Sequence, residues 1–359
     1  MPIYGGISVI IKCYKPNTLQ CFDVITKAKS IIWNKKFYDV GSFELELEQT
    51  NLSINDIIYH NGNCGFVTKI TKNFDGVTVC GFDLKALTNF RYLIEPKTYS
   101  GNFETVVKAM ANDLLMTDDR AIYGMTIELD QHRGPILESQ EYADVYWGDL
   151  LKDLGEQNEI SYDIVFDGSK FIFKVLIGED RTKTLTFSRN FKNLESCEYV
   201  VDASDVKNVA VAVQEIPQPP IVYYVQEYDE DGNPVRDEEG KIKLKEIQEE
   251  QPPIIKYVSV GTDTGFVRKE FKVDKLDDAE KEIKNNVLSE SLRGEANDKL
   301  QYMVDWNIGD YVTVVFDDII TEKQITEVKE VHEPSNNKII PIFGEEKENI
   351  IKKIIRGEK

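Results

Sequence analysis

WNKKFYDVGSFELELE, residues 33–48, alternates apolar and acidic side chains strictly over its last six positions. Such alternation is typical of a β-strand that has one buried face and one solvent-exposed face. Ahead of it, aromatic and branched residues crowd the approach to a bend at Gly41-Ser42. The stretch carries no recognisable catalytic group, so it predicts a structural piece of β-sheet rather than a reaction centre.

The composition indicates a folded chain with little affinity for polyanions. Its 359 residues are enough for two to three domains, and a hydrophobic content of 41% can fill their cores. The 63 acidic residues outnumber the 43 basic ones, which gives a net charge of −20. That balance argues against a surface that grips DNA or anionic lipid, so no sequence-specific nucleic-acid partner is expected.

The cysteines and the opening residues indicate the cellular compartment in which the protein is made. Five cysteines occur without a CxxC spacing, which favours reduced thiols in a protein assembled in a cytoplasm. The start, MPIYGGISVIIKCYKP, lacks the pattern of an export signal, and no apolar stretch of the sequence reaches the length of a membrane span. We therefore expect no membrane span.

The patterning predicts a mainly β chain with an α+β middle domain. Short, evenly spaced strands with hairpin signals at Asn61-Gly62 and Asp75-Gly76 indicate a small barrel or sandwich at the start. A second β domain is predicted in the last third. The predicted first β domain, α+β domain, second β domain and short C-terminal helix or tail occupy residues 1–95, 96–200, 201–345 and 346–359.

Two helices and a hairpin are predicted in the α+β domain. Apolar residues recur at helical spacing over residues 103–114. A second helix places Trp147 on its apolar face and is predicted to end at Gly155, because glycine commonly terminates helices. Two alternating strands then turn at Asp167-Gly168.

An inserted arm is predicted inside the second β domain. Proline-rich edges bracket a charged segment, so residues 217–253 are interpreted as a hairpin that stands out from the domain. After it, Asp277 and Glu280 form a capping box for a helix that is predicted to reach Leu292. The candidate contact residues of the arm are an aromatic pair and a turn: Tyr223, Tyr224, Asp231 and Gly232.

The two β domains contain an internal echo. VTKITK (67–72) and ITEVKE (325–330) agree in residue class at six consecutive positions, and each is followed by a turn and an apolar return strand. Similar hairpins also arise by chance, so the echo alone leaves duplication and coincidence equally open.

No motif of the sequence predicts a catalytic or metal-binding site. His60 and Cys64 are too few for a zinc site and are better explained by a hairpin tip, and no signature of a Cys/His hydrolase surrounds them. Residues 229–233 resemble a calcium loop only superficially, since glycine falls too early. We therefore nominate no catalytic, cofactor-binding or metal residues, and we expect neither an enzyme nor a cofactor.

The order of several motifs along the chain resembles the phage tail-hub family, the central baseplate hub of long-tailed phages and phage tail-like particles. The resemblance covers most of residues 1–345. It rests on WNKKFYDVGSFELEL (33–47), II (57–58), GFVTKI (65–70), GFDL (81–84), GEDRT (178–182), LTFSR (185–189), NL (193–194), WNIGDYVTV (306–314) and ITEV (325–328).

The resemblance implies two related small β-barrel tube domains plus an inserted α+β domain. Three such chains would form a homotrimer whose six β domains match a sixfold tail tube. The implied partners are the tail tube protein, the central spike and other baseplate proteins, with the tape measure protein as a further candidate. The implied location is a virion tail, or a tail-like particle such as a bacteriocin, assembled in the bacterial cytoplasm.

The resemblance also suggests tube-wall residues and a use for the acidity. An acidic lumen would let DNA slide through, although acidity that serves only solubility fits equally well. The alternative functions are a tail-associated cell-wall hydrolase and a host-surface adhesin, the latter with Tyr223-Tyr224 as its only platform. The tube-wall candidates lie on two strands: Phe43, Glu44, Leu45, Glu46, Leu47 and Glu48, with Tyr311, Val312 and Val314.

Overall fold

The computed structural model describes residues 6–203, 206–273, 279–280, 283, 289–297, 299–334 and 336–344. The fold is mainly β, as predicted. The described residues divide into two compact units, one drawn from residues 1–200 and 290–346 and the other from residues 201–289. The predicted second β domain, residues 201–345, groups the strands after residue 289 with the second of these segments. The contacts group them with the N-terminal strands.

Seven strands form the first β region, followed by a short 3₁₀-helix at Leu84–Leu87. They are β1 (Ile7–Tyr14), β2 (Cys21–Ala28), β3 (Ser30–Lys36), β4 (Ser42–Leu47), β5 (Ile57–His60), β6 (Asn63–Asn73) and β7 (Gly76–Asp83). Their buried face is apolar, and Ile31, Trp33, Phe43, Leu45 and Val79 lie at its centre.

The middle region contains two helices. Its elements are β8 (Tyr92–Leu93), β9 (Lys97–Asn102), α1 (Phe103–Leu115), β10 (Met125–Ile127), β11 (Ile136–Tyr142), β12 (Val145–Tyr146), α2 (Trp147–Asn158), β13 (Ile160–Phe166) and β14 (Phe171–Ile177). The predicted hairpin is present, since β13 and β14 pair antiparallel from Ile160↔Ile177 to Phe166↔Phe171.

The predicted end of the second helix is wrong. Helix α2 continues past Gly155 to Asn158, and Glu159 caps it in the left-handed conformation. Gly155 is small for another reason: a Cβ there would lie 2.7 Å from the carbonyl oxygen of Ile160. The glycine therefore allows the helix to pack closely on β13 and does not stop it.

Residues 186–344 supply eleven strands in the part that the structure describes. They are β15 (Thr186–Ser188), β16 (Leu194–Asp202), β17 (Val209–Ile216), β18 (Ile221–Gln226), β19 (Leu244–Glu249), β20 (Ile254–Val260), β21 (Glu270–Lys272), β22 (Ser289–Ala296), β23 (Tyr311–Phe316), β24 (Ile319–Glu333) and β25 (Asn336–Gly344). Strands β17 and β20 pair antiparallel, and beyond them β18 and β19 form a separate two-stranded ribbon within residues 217–253.

Two helix predictions in this region have different outcomes. Leu292 lies in β22 rather than in the predicted helix, although the backbone at Ala279, Glu280 and Ile283 is helical. Asp277 and the C-terminal helix predicted within residues 346–359 lie outside the described residues.

One 13-stranded sheet unites the first and last β regions. Its strand order is β16-β22-β25-β24-β3-β4-β7-β6-β5-β1-β2, with β23 paired to β24 and β15 paired to β23. Among the described residues this path is open, so the two related β-barrel tube domains that the family resemblance implies are not seen as closed barrels. The reason is the direct pairing of β24 with β3, which joins the two regions edge to edge.

Candidate interface: the strand junction between two like halves

The two β regions repeat one strand arrangement. In the first, the neighbour order is β3-β4-β7-β6, and in the second it is β16-β22-β25-β24. We call these sets the first half and the second half. In each half the strand that precedes the long hairpin, β5 or β23, pairs with the beginning of that hairpin.

The long hairpins of the two halves carry the same irregularity. The β6–β7 register shifts between Val67 and Lys69, and the β24–β25 register shifts between Ile325 and Glu327. These positions are the ones that the sequence echo aligns. A β-bulge bends a strand at a defined point, so a shared bulge is stronger support for duplication than shared residue classes.

The turn before each hairpin is also the same. In the first half the backbone amide of Asn55 donates to the carbonyl oxygen of Val67, and the amide of Val67 donates to the carbonyl oxygen of Asp56. In the second half Gly309, Ile325 and Asp310 form the same two bonds. Asn55 and Gly309 both have positive φ, at 72° and 95°. The Asp56 and Asp310 carboxylates each accept the amide three residues earlier, both at 2.9 Å.

The cores of the two halves are packed alike, but the large aromatic side chain lies on β4 in the first half and on β25 in the second. In the first half Gly81 lies between Phe43 and Val67, and the Phe43 ring fills the space above the glycine. In the second half Phe343 occupies the middle position, between Leu292 and Ile325. The aromatic ring has changed strand, which conserves the filled volume and hides the relation from residue-by-residue comparison.

The junction itself is an antiparallel pairing between β3 of the first half and β24 of the second. It runs from Glu327↔Lys36 to His332↔Ile31. The Glu327 and Lys36 side chains lie directly opposite each other, and opposite charges at such positions stabilise a strand pair.

A buried polar layer lies under the junction. Glu330 on β24 is 6% exposed, and its carboxylate accepts a 2.9 Å hydrogen bond from the side-chain Nδ2 of Asn63 on β6. Burial alone would raise the pKa of the Glu330 carboxyl, but the His332 ring 3.8 Å away, the hydrogen bond from Asn63 and the charge of Lys35 hold it below its usual value. The ionised glutamate therefore ties the two halves together beneath the paired backbones.

The bend that the sequence signalled after β3 is held by several partners. Lys85 donates to the carbonyl oxygen of Phe37 at 2.5 Å, and the Tyr38 hydroxyl donates to Gln324 at 2.6 Å. Asp83 accepts from the amide of Gly41 at 3.0 Å, and burial raises the pKa of this carboxyl to about 6. The bend thus receives bonds from the first half and from β24.

Among the described residues, two strand segments of the like halves have one side without a strand partner, in addition to β2 at the far end of the sheet path. On the β6 side, β5 pairs only with Asn63–Phe66, and in the described chain no strand pairs with the outer side of Lys69–Asn73. On the other side, β16 is the terminal strand of the sheet path. Open edges of this kind are sites for pairing with another chain.

The structure places the first set of tube-wall candidates on opposite faces of β4 and, for Glu48, just beyond its end. Phe43, Leu45 and Leu47 are buried in the core. Glu44 and Glu48 are exposed and Glu46 is half-buried on the other face, which we call the open face. The glutamates therefore point away from the core of their own half.

The open face is not uniformly acidic. By strand alternation Lys36, Lys69 and Lys329 share it with Glu44 and Glu46. The face carries both signs of charge, so the net acidity of the chain is not concentrated there.

The second set of tube-wall candidates lies elsewhere. Val312 and Val314 are fully buried in the core of the second half, and Tyr311 is half-buried. Their strand β23 is off the main sheet path and pairs with β15 and the beginning of β24. The two sets are therefore not brought together on one face.

The arm candidates lie on the surface. Tyr223 and Tyr224 are 40% and 61% exposed, and the Tyr224 hydroxyl donates to Glu246 across the ribbon. Asp231 and Gly232 form an exposed turn at which Gly232 has a φ of 83°. No group of three metal-ligating side chains occurs among the described residues.

Neither described helix has the length and apolar character that a membrane span requires.

The profile of the Siphovirus ReqiPepy6 Gp37-like proteins matches residues 14–345. The chain belongs to that family. The resemblance to phage tail-hub proteins drawn from the motifs is thereby confirmed.

Solved phage tail proteins share the fold of this Gp37-like chain. The 43 kDa tail protein of prophage MuSo2 from Shewanella oneidensis has a TM-score of 0.52 and 10% identity, over 93% of this chain and 97% of that one. A tail protein from Neisseria meningitidis MC58 has a TM-score of 0.52 and 10% identity, over 95% and 97%. No curated protein matches this chain in sequence.

Proposed function

We propose that this Gp37-like protein is a structural hub of a phage tail, in which three copies form a ring around the tail axis. The observation that supports the proposal is the β3–β24 junction, where two like halves join edge to edge, while β16 and the Lys69–Asn73 part of β6 each keep one side without a strand partner among the described residues. Six like halves would then surround the axis. Such a ring adapts a sixfold tail tube to a threefold central spike.

A ring is expected because the junction joins two different strand edges. A head-to-tail junction uses two different edges, so it repeats until the ring closes. Each further junction covers two open strand edges that would otherwise promote aggregation. The proposed role is therefore structural rather than enzymatic, with the tube protein, the spike and other baseplate proteins as partners.

The open face is the surface that we assign to the lumen. Its mixed charges would bind DNA weakly, because lysines and glutamates alternate along the sheet. Passage of DNA then depends on the absence of a strong basic patch rather than on a wholly acidic wall.

Solution mass and end-on imaging test the hub. We expect native mass spectrometry to give three chain masses, and end-on electron microscopy of assembled tails to show a threefold ring with a central pore. A chain that stays monomeric together with its tube protein, or a ring of another symmetry, would contradict the proposal.

We also propose that the arm, residues 217–253, binds a neighbouring tube or baseplate component. Strands β18 and β19 are a two-stranded ribbon with both faces largely exposed, and an isolated ribbon of this kind is marginally stable in water. Exposed apolar side chains such as Ile221 and Tyr223 give it a surface that a partner can bury.

Replacement of the arm tests this role. Ile216 and Ile254 lie directly opposite each other, so an Asn-Gly turn can replace residues 217–253 and keep β17 and β20 paired. We expect the shortened chain to form the same trimer but to yield tails at least about tenfold less often when it is co-expressed with the other tail proteins. Normal tail yield would exclude the partner role.

A further inference from the structure

Two of the chain's three histidines meet beside the internal junction. His60 ends β5 in the first half, and His332 lies on β24 in the second half. Their rings pack edge to face with centroids 5.6 Å apart. The two residues are far apart in the sequence, so only the joining of the halves brings the rings together.

A single carboxylate holds the β5–β6 turn of the first half against β24. His60 and Asn63 pair across this turn, and the Asn63 Nδ2 donates to Glu330 at 2.9 Å. The other carboxylate oxygen of Glu330 lies 3.8 Å from Nε2 of His332. The turn therefore meets β24 through one buried anion and two imidazole rings.

The facing imidazoles are only partly satisfied. His60 is 4% exposed, and its Nδ1 is buried without a hydrogen-bond partner among the described residues. The Nε2 of His332 is also buried and has no hydrogen-bond partner in the same part of the chain. Charging a buried imidazole costs free energy, because water no longer solvates the cation. Imidazole is also the side chain that ordinarily gains its charge between about pH 5 and pH 8.

The strands beside β24 add little charge to the pair. The residues directly opposite His332 are the uncharged Ile31 on β3 and Asn337 on β25. Both histidine rings line a cavity of about 380 Å³, to which β1 contributes Ser8 and β24 contributes Glu333. The charge balance of the pair therefore depends mainly on the carboxylates of β24.

The environment disfavours the charged form of His60. Burial lowers the pKa of His60 below its ordinary value of 6.5, and the charge of His332 lowers it further, while Glu330 opposes both effects. Lys35 on β3 adds a positive charge that acts on Glu330. A base whose folded-state pKa is lowered binds its proton better in the unfolded state. Its contribution to stability is therefore complete above about pH 6.5 and is lost as the pH falls below that value.

We propose that the junction is a proton-sensitive contact, in which protonation of both His60 and His332 drives the β5–β6 turn away from β24 and weakens the pairing of β24 with β3. One proton is accommodated, because the Glu330 carboxylate balances the charge of His332. A second imidazolium at this distance repels the first, and one carboxylate cannot balance both. The inference depends on the fold of one chain and is independent of the proposed trimer.

Titration of the three histidines by NMR reads the pair directly. We expect His60 to titrate below pH 6.5. We expect its pKa to rise in the His332→Gln variant, because the neighbouring positive charge is removed. His132→Gln is the matched control, since His132 is exposed in the middle region, and it should leave the pKa of His60 unchanged. A His60 that titrates at or above 6.5, or that does not respond to His332→Gln, overturns the inference.

Hydrogen exchange locates the weakened contact. Between about pH 7.5 and about pH 5.5, after correction for the intrinsic exchange rates, we expect the opening equilibrium of the β24 amides at residues 327–332 to rise at least about fivefold, since one pKa unit corresponds to about tenfold. The rise should be absent in His60→Gln and retained in His132→Gln.

One other buried group titrates in this range with the opposite sign. Burial raises the pKa of Asp83 to about 6, so its protonation stabilises the fold as the pH falls. Every variant retains Asp83, so the difference between the parent chain and His60→Gln isolates the histidine. An equal response of these two chains to acid overturns the inference. If His60→Gln does not fold, the titration of His60 in the parent and in His332→Gln decides the question.

Discussion

Trp33→Ala is expected to lower the free energy of unfolding of the unit that contains the long sheet by about 3–5 kcal/mol, the usual cost of truncating a buried tryptophan. Trp33 is 1% exposed, and its ring lies 5.0 Å from that of Phe43, centroid to centroid. It also lies opposite Glu330 in the junction. The cavity would therefore open where the two halves meet.

Urea denaturation followed by circular dichroism measures this loss, and hydrogen exchange of the β3 amides locates it. Phe74→Ala is the control, since Phe74 is an aromatic residue that is fully exposed in the β6–β7 turn. We expect the control to change stability by less than about 0.5 kcal/mol. Equal losses for the two variants would show that Trp33 does not support the junction.

Glu104→Ala should cost a similar amount, about 3–5 kcal/mol, because it leaves the buried Lys108 and the partly buried Arg133 without their counter-charge. Glu104 is fully buried at the start of α1 and accepts hydrogen bonds from Lys108 at 2.6 Å and from the Arg133 side chain at 2.9 Å. Glu128→Gln, which changes the half-exposed second partner of both cations, should cost less than about 1 kcal/mol.

The same residue gives a pH dependence of known sign. Burial opposes ionisation of Glu104, but hydrogen bonds from Arg133 and Lys108 outweigh it and lower the pKa of its carboxyl from 4.5 to about 2. A carboxyl whose folded-state pKa is lowered stabilises the fold above its ordinary pKa, and that stability is lost as the pH falls toward the folded-state value.

Acid titration checks this contribution. We expect about 3 kcal/mol of stability to disappear between about pH 4.5 and pH 2 in the parent chain, and not in the Glu104→Ala variant. Identical acid unfolding of the two chains would assign the acid sensitivity to other groups.

Local patterns predicted the elements whose partners are close in the chain. The β13–β14 hairpin and helix α1 follow from strict alternation and from helical spacing, because each period specifies its own structure over a few residues. The end of α2 was missed since Gly155 marks a close packing contact with Ile160, and a glycine of that kind has no local signature distinct from a helix stop.

The candidate interface could be predicted only in part. The echo between VTKITK and ITEVKE located the two equivalent hairpins, and the structure adds the shared bulge and the repeated turn around Asp56 and Asp310. The aromatic residue of each core lies on a different strand, Phe43 in the first half and Phe343 in the second. Sequence similarity between the halves is therefore low beyond these segments, because packing conserves total volume rather than the residue type at one position.

Residues 33–48 show where the sequence stops and the tertiary structure begins. The alternation from Phe43 to Glu48 determined which side chains are buried, since successive residues of a strand point to opposite faces. It did not determine the neighbour of β3, which is β24, nearly three hundred residues away along the chain. Strand partners at that separation are chosen by the burial and charge of whole edges in the folded chain, and no local pattern contains that information.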